Sequence, residues 1–152
     1  MDQGLDSSDE LARALGTLVI NFSFLEESLR DAIQVTAGGN SGVVSVLTAG
    51  LHFKTLLEKF GLLCKEAPSL RVPKADVEAY CNALGSLTDE RNAMVRSAYL
   101  FQRGKEPTCR SRPSGTGVAG VALPVAEFSP KDILRLATQL RSAEQRLWEL
   151  VA

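Results

Sequence analysis

The chain has 152 residues, the length of one domain, and a folded chain of this size buries roughly 70% of the surface that it exposes when unfolded. Hydrophobic residues make up 45% of the sequence and charged residues 23%, a balance that excludes an intrinsically disordered chain. The formal net charge of −1 excludes a uniformly basic protein, so affinity for nucleic acid requires a local cluster of positive charge. We expect a single domain over residues 1–152.

Composition also sets expectations for compartment and cofactors. No apolar run approaches the roughly 20 residues of a transmembrane helix, and the acidic first residues lack a signal-peptide pattern. We therefore expect a cytoplasmic protein with no membrane partner. Cys64, Cys81 and Cys109 are widely spaced, which indicates reduced thiols, with Cys64 and Cys81 packed in the interior. With one histidine and no CxxC pair, the sequence predicts no metal site and no cofactor.

The first predicted helix covers about residues 8–37. Ser7-Ser8-Asp9-Glu10 fits a capping box before it, and Gly38-Gly39 provides its end. Its apolar positions recur in alternating steps of four and three, on one stripe: Leu11, Leu15, Leu18, Phe22, Leu25 and Leu29.

Three further helices are predicted, over about 42–66, 73–102 and 130–151. Pro73 suits the first turn of the third helix, and Ser129-Pro130-Lys131-Asp132 is a start signal for the fourth. The segment 104–128 between them is rich in Gly, Pro, Ser and Thr and is too long for a simple bundle connection.

These elements predict an all-α fold, an antiparallel up-down four-helix bundle. Before the last helix we expect an irregular or β-hairpin insertion, with Ser114-Gly115-Thr116-Gly117 as its turn.

Charge is distributed unevenly along the chain. The charged residues among 1–31 are mostly acidic. Residues 91–112 contain one acidic residue, Glu106, and six basic residues: Arg91, Arg96, Arg103, Lys105, Arg110 and Arg112. Such a cluster attracts phosphates, but it is equally compatible with an ordinary solvated loop.

A motif lies at the end of the third predicted helix, in Glu90-Arg91-Asn92-Ala93-Met94-Val95-Arg96. It resembles the Arg-Asn-x-x-x-His signature of the HEPN family, with Arg96 where that signature has histidine. Phe24-Leu25-Glu26-Glu27-Ser28-Leu29 and Leu51-His52-Phe53-Lys54-Thr55-Leu56-Leu57 are similar to the first and second helices of such proteins. The resemblance covers most of the chain.

The resemblance implies a HEPN-like bundle that dimerises, so that two motif helices share one cleft, and a metal-independent endoribonuclease of the toxin or defence kind. Arg91, Asn92 and Arg96 are then the candidate catalytic residues. Arg91 grips the scissile phosphate, and Asn92 orients it or pins the neighbouring backbone. The candidate RNA-binding residues are Arg91, Arg96, Tyr99, Arg103, Arg110 and Arg112. The implied partners are RNA, a second copy of the chain, and an antitoxin or other protein.

Arg96 limits the enzymatic prediction. Cleavage without metal needs a base and an acid, and a guanidinium has no acceptor lone pair and a pKa above about 12. The chain is therefore either a weakened nuclease or a non-catalytic module that binds RNA or a protein. A third interpretation makes Arg91 and Arg96 structural, each paired with Asp89, Glu90 or acidic residues of the first helix.

Overall fold

The computed structural model describes residues 3–67, 72–96, 98–100, 108–111 and 126–152, and for the strands it describes the backbone. Helices dominate these ranges, in agreement with the all-α prediction. In chain order they are α1 (Gln3–Ala37), α2 (Ser41–Thr48), α3 (Phe53–Glu66), α4 (Lys74–Val95) and α5 (Pro130–Val151). Three short strands lie between α4 and α5: β1 (Ala98–Leu100), β2 (Thr108–Ser111) and β3 (Ala126–Phe128).

The chain divides into two compact units, both built from more than one segment. Unit 1 consists of Met1–Ile20 and Thr88–Thr138, and unit 2 of Asn21–Leu87 and Gln139–Ala152. Helices α1, α4 and α5 each contribute residues to both units. The motif and all three strands belong to unit 1.

The core of unit 2 begins with contacts between neighbouring helices. The rings of Phe22 on α1 and Phe53 on α3 lie 4.8 Å apart, and both side chains are buried. Helix α3 approaches α4 closely at Gly61, where an added Cβ would lie 3.5 Å from the Cys81 sulfur. A glycine here lets α3 and α4 pack at short range.

Helix α5 completes this set of contacts. The Tyr80 hydroxyl on α4 donates to the Ala143 carbonyl (2.8 Å), and the Ser28 hydroxyl on α1 donates to Glu144 Oε1 (3.0 Å). Within unit 2 the contacts therefore run from α1 to α3, α4, α5 and back to α1. The fully buried side chains of this unit include Leu25, Leu29, Leu56, Phe60, Leu84, Leu140 and Leu147.

The direction of α5 differs from the prediction. Arg141 on α5 lies over the ring of Phe24 on α1, at 5.7 Å. Three residues after Arg141, Glu144 accepts a hydrogen bond from Ser28, which lies four residues after Phe24. Contact positions increase together along the two helices, so α5 runs parallel to α1 in unit 2. An up-down bundle would make its first and last helices antiparallel, and that part of the prediction is wrong.

The reason is a break in the predicted helix 42–66. Ala49 caps α2, and Gly50 has φ +69°, a left-handed conformation that favours glycine and ends the helix. The chain reverses at this point and starts again at Phe53 as α3. An extra reversal here accounts for the parallel direction of α5 in unit 2, because it adds one change of direction between α1 and α5.

Arg30 holds α2 against α1. Its guanidinium donates to the carbonyl of Thr48, to the carbonyl of Leu51 at 3.2 Å, and to Glu26 at 2.8 Å. The last carbonyls of a helix lack partners within the helix, and a cation is favourable at that end. Arg30 thus fixes both the end of α2 and the approach to α3.

Two other predicted boundaries shift. Helix α1 starts at Gln3, so Ser7 lies inside it and is not its cap; acidic residues near a helix N-terminus favour such an extension. Helix α4 ends at Val95 instead of residue 102, because Ala98–Leu100 form a strand paired with β2. Gly38, with φ +62°, and Pro130 end α1 and begin α5 as expected.

The expected insertion over 104–128 is described at Thr108–Ser111 and Ala126–Phe128, and the expected turn at 114–117 lies outside the described residues. Strands β1, β2 and β3 form an antiparallel sheet in that order. No helix in the described ranges combines the length and low polarity needed to cross a membrane.

The positive φ of Gly50 leads to a stability prediction. Gly50→Ala should lower the free energy of unfolding by about 1–2 kcal/mol, because an L side chain is disfavoured in the left-handed region. Gly85→Ala is the matched control: apart from the neighbouring backbone of α4 itself, no atom lies within 4 Å of the added Cβ, so it should raise stability by about 0.5–1 kcal/mol. Urea unfolding followed by circular dichroism measures both. Equal effects of the two substitutions would contradict the assigned break at Gly50.

Candidate functional site

The motif occupies the last two turns of α4, in unit 1. Thr88 and Met94 are buried and anchor this part of the helix. Arg91 and Asn92 are half-buried, and Arg96 is exposed. The motif helix therefore buries one side while Asn92 and Arg96, one turn apart, share a face that reaches solvent.

Arg91 and Asn92 contact each other directly. Arg91 Nη1 donates to Asn92 Oδ1 at 3.0 Å. Because Oδ1 accepts this bond, the amide nitrogen is the part of Asn92 that can donate to a phosphate oxygen. The pair thus combines a guanidinium fork and an amide donor in one local arrangement, both suited to an anionic ligand.

Arg96 follows the helix directly. Its backbone N–H donates to the Asn92 carbonyl at 3.1 Å, which closes the last turn and keeps the two residues one turn apart. A guanidinium at this position adds positive charge but has no means of accepting a proton. All three side chains carry hydrogen-bond donors, and none of the three provides a general base.

Strand pairing brings one of the remaining basic candidates to this end of α4. In the register of β1 and β2, Arg110 is opposite Ala98 and Cys109 is opposite Tyr99. Ala98 lies two residues after Arg96, so the backbone of Arg110 is placed beside the end of the motif helix. Only the backbone of Tyr99 and Arg110 is described.

The other two basic candidates, Arg103 and Arg112, lie outside the described residues. Their contribution to RNA binding therefore stays a prediction.

The motif helix is connected to the start of α5 by charged side chains. Glu90 Oε1 lies 3.5 Å from Arg135 Nη2, and the same nitrogen lies 4.0 Å from Asp132 Oδ1. The structural interpretation paired Glu90 with Arg91 or Arg96, whereas the observed partner of Glu90 is Arg135. Since Arg135 is 63% exposed, this link orients the helices more than it stabilises them.

Arg135 is not among the residues that the sequence predicted for the site. The signal available was its position three residues after Asp132 on a helix, a spacing that often pairs opposite charges. That spacing gives no indication of Glu90, which is distant in sequence.

Asp132 also completes the cap that starts α5. Its Oδ2 accepts from both the backbone N–H and the hydroxyl of Ser129, each at 2.9 Å, while the Asp132 N–H donates to the Ser129 hydroxyl at 3.2 Å. Pro130 occupies the first helical position. The backbone and side-chain hydrogen bonds from Ser129 lower the pKa of the Asp132 carboxyl.

Comparisons with known proteins add no relative. No protein-family model, curated protein or solved structure matches the chain. In the described part of the chain, no group of three or more His, Cys, Asp or Glu side chains is arranged to hold a metal ion.

The cap makes stability depend on pH in a defined direction. A lowered pKa in the folded state means that Asp132 stabilises the fold above its unfolded pKa of about 4, and that this contribution is lost as the pH falls through the lower folded value. Asp132→Asn should cost about 1 kcal/mol at neutral pH and progressively less as the pH is lowered below 4.

Urea unfolding of both proteins between pH 2 and 7 measures the difference, with the exposed Asp89→Asn as the control. A difference for Asp132→Asn that does not change with pH would contradict the cap.

Proposed function

We propose that this chain is a HEPN-like protein that binds RNA at the C-terminal end of α4, and that its endoribonuclease activity is impaired by Arg96. The observation that carries the proposal is the hydrogen-bonded pair of Arg91 and Asn92, with exposed Arg96 one turn further. The register that puts Arg110 opposite Ala98 supports it, because it brings a further basic residue to the same end of the helix.

The proposal includes the architecture. We infer a four-helix bundle made by α1, α3, α4 and α5, with the β1–β3 sheet as the insertion before the last helix. The closed series of contacts in unit 2, from Phe22–Phe53 to Ser28–Glu144, supports four helices around one core. The added helix α2 and the parallel direction of α5 are departures from a simple up-down order.

The proposed chemistry follows from the donors present. Arg91 and Arg96 neutralise charge on a phosphate, and the Asn92 amide donates one hydrogen bond that orients it. Cleavage also requires removal of the 2′-OH proton and protonation of the 5′-oxygen, which a guanidinium cannot do. General acid–base catalysis accelerates such a reaction roughly a hundred- to ten-thousand-fold, so cleavage without it should be slower by that factor.

The second candidate is a non-catalytic module that binds RNA or a protein, such as an antitoxin. It is favoured by one observation, the guanidinium of Arg96 on the exposed face beside Asn92. In the first candidate the protein is a toxin or defence effector with a weakened site. The two differ in whether a proton-transfer group at position 96 is sufficient to restore cleavage.

Arg96→His is the decisive substitution. The imidazole titrates near neutral pH and can accept and release a proton, so the variant should cleave single-stranded RNA with EDTA present, at least a hundred-fold faster than the wild-type chain. Products should end in a 2′,3′-cyclic phosphate, because the 2′-OH is the nucleophile. Gel analysis of a labelled RNA measures both.

Two controls separate proton transfer from loss of charge. Arg96→Gln removes the same charge without supplying a base and should stay inactive. Arg91→Gln in the Arg96→His background should abolish the restored cleavage. If Arg96→His is inert but still binds RNA, the second candidate is favoured; if it neither cuts nor binds RNA, both RNA proposals fail.

The shared cleft is a separate prediction. We expect a dimer at micromolar concentration, because the resemblance implies that two motif helices form one site. Sedimentation equilibrium should give twice the mass of one chain. A strict monomer at that concentration would contradict a composite cleft, while leaving RNA binding by each chain to be measured on its own.

A further inference from the structure

Two cysteines in unit 2 lie on neighbouring helices near Gly61. Cys64 on α3 is buried, and Cys81 on α4 is half-buried; both are free thiols. The Cys81 sulfur lies 3.5 Å from the position that a Cβ on Gly61 would occupy. The missing side chain of Gly61 therefore leaves the space that the Cys81 thiol faces.

Cys64 is one turn after Gly61 on the same helix. Residues three apart lie on the same face, and helical side chains tilt towards the N-terminus of their helix. This spacing puts Cys64 and Gly61 on one face of α3, the face that the Cys81 sulfur approaches at Gly61. The direct electrostatic influence of Cys81 on the Cys64 thiol is consistent with this closeness.

We propose that Cys64 and Cys81 are a modification site: a thiol pair that hydrogen peroxide oxidises to a disulfide joining α3 to α4. The inference is independent of RNA binding. A disulfide requires Cβ atoms about 4 Å apart, and Gly61 keeps the seam between α3 and α4 narrow.

The two thiols have different roles because their exposure differs. Half-buried Cys81 is the more exposed of the two, so it is the thiol that reacts first with peroxide in this proposal. Its thiolate attacks the O–O bond, a sulfur–oxygen bond forms, and hydroxide leaves and is protonated to water. The Cys64 thiolate then attacks the Cys81 sulfur, the S–S bond forms and the S–O bond breaks, releasing a second water. The peroxide is reduced and the two thiols are oxidised.

The environment makes this reaction slow at neutral pH. Burial, with a smaller effect of Cys81, raises the pKa of Cys64 to about 11. Burial raises the pKa of Cys81 as well; neighbouring Lys65 opposes this increase, and Glu78 adds to it. The thiolate fraction therefore grows about tenfold per pH unit below these pKa values, and oxidation should accelerate with it.

The test uses the full-length chain carrying Cys109→Ser, which removes the third thiol and leaves the pair intact. After hydrogen peroxide treatment, mass spectrometry without reductant should show a loss of about 2 Da and a peptide linking residues 64 and 81. The rate should increase between pH 7 and 9, and the midpoint of urea unfolding should rise, since the link closes a loop in the unfolded chain.

Cys64→Ser is the matched variant. It should arrest the reaction at a Cys81 sulfenic acid, which a 1,3-diketone probe traps, and should form no disulfide within the chain. The proposal is overturned if peroxide oxidises Cys81 in the chain with both thiols but no 64–81 peptide appears. It is also overturned if neither thiol reacts at pH 9 while the protein stays folded. Both outcomes are read on native cysteines, so they do not depend on how well the variant folds.

Discussion

The apolar stripe of α1 is the constraint on which the rest of the structure depends. Leu18, Leu25 and Leu29 on this stripe are fully buried, and burying one such side chain stabilises a fold by roughly 1.5–3 kcal/mol. A single helix cannot cover its own stripe, so α3 packs on it through Phe53, and α5 lies beside it, joined by the hydrogen bond from Ser28 to Glu144. Because the stripe continues through residues of both units, α1 contributes to the core of each.

Burial explains which helices pack, but polar contacts determine their ends and directions. Arg30 bonds the carbonyls of Thr48 and Leu51, and this contact joins α1 to the end of α2 and to the segment before α3. The position of Arg30 on α1 fixes where α2 ends, and Gly50 provides the left-handed backbone conformation at that point. The parallel contacts of α5 with α1 follow from the chain reversal there.

The helix boundaries that the structure confirms depend on interactions between residues close in sequence. Gly38 and the Ser129-Pro130 start of α5 depend only on backbone conformation and adjacent donors, which a sequence contains. The break at Gly50 could not be predicted, because Val43, Leu47 and Leu51 continue the helical spacing across it while Arg30, distant in sequence, stabilises the interruption. Strand β1 depends on pairing with β2, which is also non-local.

The candidate site shows the same division. The motif gave the position of Arg91, Asn92 and Arg96 on a helix end, since spacing alone decides that. It gave no indication that Arg91 donates to its direct neighbour, because adjacent residues on a helix diverge and such a bond depends on side-chain conformation. The ion pair of Glu90 and Arg135 could not be predicted either, because it depends on how α4 and α5 pack. The central claim is the proposal that Arg91, Asn92 and Arg96 bind a phosphate group. The salt dependence of RNA binding tests it most directly. In fluorescence anisotropy with a labelled single-stranded RNA, the affinity should fall with salt, and Arg96→Gln should reduce the slope by about 0.7 while the exposed Lys59→Gln leaves it unchanged. An affinity that does not depend on salt, or equal slopes for the two variants, would contradict a phosphate site at the end of α4.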